Sequence, residues 1–271
     1  MFISRRGTKR NAVYSPQSID VNRLKSSADA FKMSGDGVFH TIQGEGPRLG
    51  YPITFIRLHY CNLSCVWCDT SYTWDKTLKE YWGEPWDLPI TGLNREIQKA
   101  QKKFGIPKKN IIRRICFTGG EPLLQQDKIV KFLKQNPDYY TEIETNGTIM
   151  PDQYLLERNK KGLFFFNCSP KLSNSLNHYK LRFNPGVVKA ISKTNNPVFK
   201  FVCKSSKDIK EALTVYGQII PRNLISIMPE GVTVKENMKV YKKIIRTVVQ
   251  YGLATHPRLQ NIAFGGAKRG V

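Results

Sequence analysis

The chain has 271 residues, 40% hydrophobic and 11% aromatic, enough for one large α/β domain or two small ones with a substantial core. No apolar run approaches the roughly 18 residues of a membrane span, and the first residues carry no apolar signal segment, so a membrane span is excluded, secretion is not expected and a cytoplasmic protein is. Forty-three basic residues against 21 acidic ones leave a net charge of +22, a field that attracts polyanions and small anions.

Residues 1–34 are polar, basic and aperiodic and read as a flexible extension; residues 35–271 form the domain. Gln43-Gly44-Glu45-Gly46 frames two polar side chains with flexible glycines. Residues 53–58 are strand-like and carry Arg57, whose fork suits a carboxylate but equally an exposed strand face. A loop follows with Cys61, Cys65 and Cys68 in the spacing C-x3-C-x2-C. Three readings are open for it: thiols packed in a core, an incomplete zinc site, or an iron–sulfur cluster with one iron left free for a non-protein ligand. The polar segment around the thiols, and the lack of a fourth ligand nearby, favour the cluster. Cys116, Cys168 and Cys203 lie in apolar runs and read as core residues, which with the low cysteine count fits a reducing compartment.

A helix over 91–104 is predicted, with Leu93, Ile97, Ala100 and Phe104 on one face. Strands are predicted at 111–117, 139–144, 163–168, 198–203 and 224–228, and helices at 125–135, 151–161, 206–216 and 235–251. The alternation implies βα units, a parallel sheet and an α/β fold. Polar motifs follow the C-terminal ends of the strands: the cysteines, Gly119-Gly120-Glu121-Pro122, Glu144-Thr145-Asn146-Gly147, Ser169-Pro170-Lys171 and Met228-Pro229-Glu230-Gly231. In a parallel barrel these converge on one mouth. Basic residues are densest at Lys99, Lys102, Lys103, Lys108, Lys109, Arg113 and Arg114, with no recognition motif for nucleic acid beside them.

The cysteine loop after a first strand and Gly-Gly-Glu-Pro after a later one resemble the radical S-adenosylmethionine (SAM) enzymes. Thr41 to Gly46, Phe55 to Leu58, Cys61-Asn62-Leu63, Trp67-Cys68-Asp69-Thr70, Tyr72-Thr73-Trp74, Glu144 to Gly147, Ser169 to Lys171 and the terminal Lys268-Arg269-Gly270-Val271 are similar to the 7-carboxy-7-deazaguanine synthase family, over residues 37–271. The resemblance implies a partial, open parallel (β/α) barrel of the radical SAM type. It implies a lyase that converts 6-carboxy-5,6,7,8-tetrahydropterin to 7-carboxy-7-deazaguanine with loss of ammonia, in queuosine-type biosynthesis. A 4Fe-4S cluster on Cys61, Cys65 and Cys68, SAM and Mg2+ are the implied cofactors, with Thr70 as a magnesium ligand. Ile42, Gln43, Gly44, Glu45, Arg57 and Thr118 would hold the pterin. Trp67, Asp69, Gly120, Glu121, Ser169, Lys171, Met228 and Glu230 would hold SAM, and the terminus at Val271 would close over the substrate. A reductant such as flavodoxin or ferredoxin, and a homodimer, are implied as partners.

Three stretches depart from the family pattern: the basic extension, the segment from Trp74 through Trp82 and Trp86, and a last strand reading Phe264-Gly265-Gly266-Ala267. Two other readings stand beside the synthase. One is a glycyl-radical-activase-like enzyme acting on a partner protein. The other is a nucleic-acid-associated binding protein on the same fold, motivated by the charge.

Overall fold

The computed structural model describes residues 29–265 and Gly270. Nine strands form one sheet: β1 (Ala30–Ile42), β2 (Pro52–Leu58), β3 (Trp86–Pro89), β4 (Arg114–Gly119), β5 (Tyr140–Thr145), β6 (Phe164–Cys168), β7 (Val198–Cys203), β8 (Ile225–Pro229) and β9 (Ala254–Thr255). Their order is β3-β1-β2-β4-β5-β6-β7-β8-β9. From β2 to β9 every pair is parallel, whereas β1 runs antiparallel to both β2 and β3. β3 and β9 end the sheet without pairing to each other, so the barrel is partial and open, as expected.

Helices fill the connections: α1 (Lys79–Gly83), α2 (Leu93–Lys102), α3 (Gln126–Gln135), α4 (Gln153–Lys160), α5 (Tyr179–Arg182), α6 (Pro185–Ser192), α7 (Ser206–Glu211), α8 (Val234–Gln250) and α9 (Leu259–Phe264). Period-two alternation sorts the strand residues between two faces. Ile56, Leu58, Ile115, Phe117, Ile143, Phe164, Phe166, Phe199, Phe201, Ile225 and Ile227 belong to the main core. The intervening positions, among them Arg57, Thr118, Glu142, Glu144, Asn167, Lys200 and Ser226, occupy the opposite, concave face. That face is largely polar, while Phe39, Ile53, Phe55 and Cys116 form a small apolar cluster near its β1–β2 side.

Several expectations are corrected here. Residues 1–28 of the extension lie outside the described residues, but residues 30–34 begin β1, and Phe31 and Met33 are fully buried. The strand predicted at 111–117 starts only at Arg114. α2 stops at Lys102, so Phe104 leaves its apolar face and is 64% exposed, its ring edge-on to His40. Phe264 ends a helix rather than opening a strand. Gly266, Ala267, Lys268, Arg269 and Val271 lie outside the described residues. Among the described residues no helix is long and apolar enough to cross a membrane.

Candidate active site

The strand ends at one mouth are tied together through backbone groups. Gly120 N–H donates to Leu58 C=O at 3.0 Å and Glu121 N–H to Tyr60 C=O at 2.8 Å, fastening the end of β4 to the start of the cysteine loop. A Cβ on Gly120 would stand 1.9 Å from the Tyr60 carbonyl oxygen. The glycine is therefore required by contact between two loops of the protein, rather than by a ligand alone. Tyr60 itself has φ of +76°, uncommon for an aromatic residue. Its ring is buried against His59 and Tyr81, which holds the unusual backbone in place.

Glu121 is fully buried, and both of its oxygens accept hydrogen bonds: Oε1 from Leu123 N–H at 3.0 Å and Thr145 Oγ1 at 2.9 Å, Oε2 from Asn146 N–H at 2.7 Å. Burial raises its carboxyl above the ordinary range, and the Asn146 bond is the main opposing influence. Its first task is to join the ends of β4 and β5. Asn146 continues the tie by donating to Asn62 Oδ1 at 2.8 Å inside the cysteine loop.

Cys61, Cys65 and Cys68 are all free thiols. Burial raises each of their pKa values, that of Cys65 to about 11. Unaided, such thiols stay protonated; a bound cationic metal centre is what would make them thiolates. Asn177 donates to Cys65 Sγ at 3.3 Å and accepts from Ser64 N–H at 2.9 Å, orienting the middle thiol. Among the described residues no three His, Cys, Asp or Glu side chains converge on one ion. A cluster takes one thiolate per iron, so three separated, unpaired thiols on one loop fit it better than they fit a single metal ion.

The residues expected around SAM gather beside this loop. Trp67 Nε1 donates to Asn174 at 3.1 Å, and Lys171 Nζ sits 5.2 Å from the Trp67 ring while donating to Ser169 Oγ at 3.0 Å. Met228 lies one residue before the end of β8 on the concave side, and Glu230 Oε2 is a buried acceptor with no hydrogen bond. Thr70 Oγ1 lies 3.4 Å from Cys68 Sγ and 3.5 Å from the Gly119 carbonyl. Asp69 is the exception, because Arg258 claims its carboxylate. Burial would raise the Asp69 carboxyl, but Arg258 outweighs it and holds it below the ordinary range.

The expected substrate residues divide into two groups. Arg57 and Thr118 are neighbours in register on β2 and β4. Thr118 donates to Glu144 Oε2 at 2.6 Å. Arg57 Nε is buried without a hydrogen bond, its guanidinium lies 5.0 Å from the Phe39 ring, and no described carboxylate is within ion-pair distance. The other group, on the loop after β1, enters from the far end of the barrel. Ile42 is half-buried at the end of β1. Gln43 spends its amide inside the protein, donating to Glu142 at 2.9 Å and accepting from Glu45 N–H at 3.2 Å. Glu45 joins Lys200 Nζ at 2.9 Å, Arg258 Nε at 2.9 Å and Gln260 Nε2 at 2.8 Å. Burial opposes the Glu45 charge, but Lys200 and then Arg258 overcome it and hold the carboxyl far below its usual range.

Lys200, Arg258 and Gln260 were not singled out from sequence. Lys200 had a signal, being a lone cation between Phe199 and Phe201 in a buried strand. Arg258 and Gln260 had none. Arg258 alone touches Glu45, Asp69 and the Gly231 carbonyl (3.0 Å), and Leu259 N–H donates to Gly44 C=O at 3.0 Å. The segment before and into α9 therefore crosses the concave face, and a Cβ on Gly44 would collide with Gln260 Oε1 at 1.8 Å.

A profile of the Radical SAM superfamily matches residues 55–244. The 7-carboxy-7-deazaguanine synthase of Pyrobaculum aerophilum is 29% identical over 236 residues, covering 85% of this chain and 94% of that protein. The enzyme of the same name from Thermoplasma acidophilum is 40% identical over 114 residues, 41% of this chain and 46% of its own. Among solved structures, QueE from Escherichia coli superposes with a TM-score of 0.62 at 20% identity, covering 89% of this chain and 99% of that one.

Proposed function

The chain belongs to the radical SAM superfamily, and from that premise we propose that it converts 6-carboxy-5,6,7,8-tetrahydropterin to 7-carboxy-7-deazaguanine with release of ammonia, as a carbon–nitrogen lyase of 7-deazaguanine biosynthesis. Enzymes of this superfamily use a 4Fe-4S cluster and SAM, which when reduced and bound supply a 5′-deoxyadenosyl radical able to take hydrogen from a substrate. Cys61, Cys65 and Cys68 hold the cluster. Trp67, Lys171, Ser169, Met228 and Glu230 line the place for SAM, and the unpaired Glu230 oxygen suits an ammonium or hydroxyl donor. Thr70 would offer one neutral hydroxyl oxygen to a magnesium ion, which would supply positive charge beside the substrate.

The observation that carries the reading is Arg57. It is a partly buried guanidinium without a described carboxylate partner, at the same mouth as the cysteine loop and in register with Thr118. A cation left unpaired there is stabilised by an incoming carboxylate through paired, charge-assisted hydrogen bonds. Thr118 lies beside Arg57 at that mouth, whereas Gln43 and Glu45 already bond Glu142, Lys200, Arg258 and Gln260 and would meet a pterin only by exchanging those partners. Relatives named 7-carboxy-7-deazaguanine synthase that match over most of the chain favour this reading over an activase acting on a partner protein. A small-molecule substrate and an external reductant follow from the chemistry; flavodoxin or ferredoxin as donor, a homodimer and a cytoplasmic location complete the proposal.

Anaerobically reconstituted protein given carboxytetrahydropterin, SAM, reductant and Mg2+ should release the deazaguanine and ammonia. A fully loaded cluster with no product would overturn the assignment.

A further inference from the structure

We propose that the opposite mouth of the barrel is a second ligand site, built for a planar heteroaromatic anion: a purine-type ring carrying a phosphate or a carboxylate. A cavity of about 590 Å³ opens there, among the first residues of β4, β5, β7, β8 and β9 and the loop before β2. Its size is that of a small-molecule site. The cysteine loop and the polar motifs lie at the other ends of these strands.

The lining contains no Asp or Glu. Arg114 opens β4, its guanidinium 4.6 Å from the Tyr51 ring and 5.4 Å from the Tyr140 ring. Its Nε is buried without a hydrogen bond, and no described carboxylate lies within ion-pair distance. Ser226 Oγ is buried and unbonded. His256 Nε2 accepts from Gly46 N–H at 3.2 Å, so the neutral ring carries its hydrogen on Nδ1, and that atom too is buried and unbonded. Burial holds the His256 pKa below its ordinary value, in keeping with the neutral form. The unpaired Arg114 cation, two further donors without acceptors on Ser226 and His256, and the half-exposed Tyr51 ring complement an acceptor-rich planar anion.

The cavity also touches the machinery of the other mouth. His256 fixes Gly46, and Arg48, bonded to Tyr140 at 2.9 Å, lies 3.7 Å from Glu142, which holds Gln43. Occupancy would therefore bear on the Gln43–Gly46 loop. Binding stands on the cavity alone; an effect on turnover rests on the pterin reading.

The test uses cluster-loaded, SAM-bound protein, titrated calorimetrically with guanosine 5′-monophosphate, with 7-carboxy-7-deazaguanine and with inorganic phosphate. One of the two heteroaromatic anions should bind wild type and Arg57→Ala alike, and the better of them identifies phosphate or carboxylate as the anionic group. Arg114→Gln should weaken it about tenfold or more, and Tyr51→Ala, at an exposed position, should weaken it comparably without endangering the fold. The proposal fails if neither anion binds at millimolar concentration, if inorganic phosphate binds as tightly, if Arg57→Ala abolishes binding, or if both cavity variants bind like wild type. Pterin turnover measured on the same samples separates the two readings. Turnover without binding overturns the second site alone, whereas binding without turnover overturns the synthase and leaves the site standing.

Discussion

Arg57 and Lys200 occupy the same concave face and stand in opposite electrostatic situations. Lys200 is almost fully buried between Glu45 at 2.9 Å and Glu144 at 3.6 Å. Burial alone would lower its pKa, but the two carboxylates more than reverse that. Arg57 has no such partner. Arg57→Ala should keep the cluster's absorbance and lower kcat/KM by about tenfold to a hundredfold, because a charge-assisted pair is lost. Arg57→Lys should recover only part of this, since an ammonium cannot make the two-pronged contact. An unchanged KM in both variants would remove Arg57 from the substrate site. Lys200→Met leaves Glu45 with Arg258 as its one cation beside the Gln260 amide and should cost about 3 kcal/mol in denaturant unfolding.

Glu45 also predicts a pH dependence. Its carboxyl ionises more readily in the folded protein than its ordinary value of 4.5 allows. As pH falls, the unfolded chain takes up the proton first. The stabilisation is thus complete above about pH 4.5 and is lost as pH falls through the lower folded value. Thermal unfolding followed from neutrality to about pH 3 should show this decline, and Glu45→Gln should flatten it. An equally steep acid decline in the variant would assign the effect to other carboxylates.

At the scale of elements, the site depends on loops that grip one another. Gly120 lies against the Tyr60 carbonyl, and Arg258 joins the loop after β1, the cysteine loop and the turn after β8. Gly120→Ala must push the end of β4 away from the cysteine loop. A loss of about 2 kcal/mol or more is expected, with less iron retained after reconstitution. Wild-type melting and iron content in that variant would show that the contact does not anchor the loop. The parallel strands β2 and β4 to β8 were legible because each is a short apolar, β-branched or aromatic run followed by a polar turn, whereas the two-residue β9 carries no such run. β1 was not: Ser34-Gly35-Asp36-Gly37 interrupts its alternation, and its pairing with β2 shifts register between Met33 and Val38. Phe104 was misplaced because an apolar residue two positions beyond the helix end matches the helical period without sharing the helix.

Over the whole molecule, a charge of +22 makes some affinity for nucleic acid a prediction in its own right. Binding to a DNA duplex should persist in Cys65→Ala, because it owes nothing to the cluster. It should fall steeply between about 50 and 200 mM salt, because it comes from counterion release. Salt-independent binding would point instead to base-specific contacts.

The gathering of the cysteine loop and its neighbours at one mouth could be read from sequence because these residues are close along the chain. Cys61, Cys65, Cys68 and Thr70 share one loop, Arg57 sits just before it on β2, and the later polar motifs each close a recognisable strand, so local spacing and alternation place these residues at one mouth, while the roles expected of them came from the resemblance. What only the tertiary structure decided are the pairings between distant parts of the chain. Glu45 meets Lys200 and Arg258, Glu121 is consumed in joining β4 to β5, and Arg114, Ser226 and His256 meet around a cavity at the other mouth. Burial sets the energy of those contacts, and a side chain's burial depends on which strands lie beside it in the barrel, not on its neighbours along the chain.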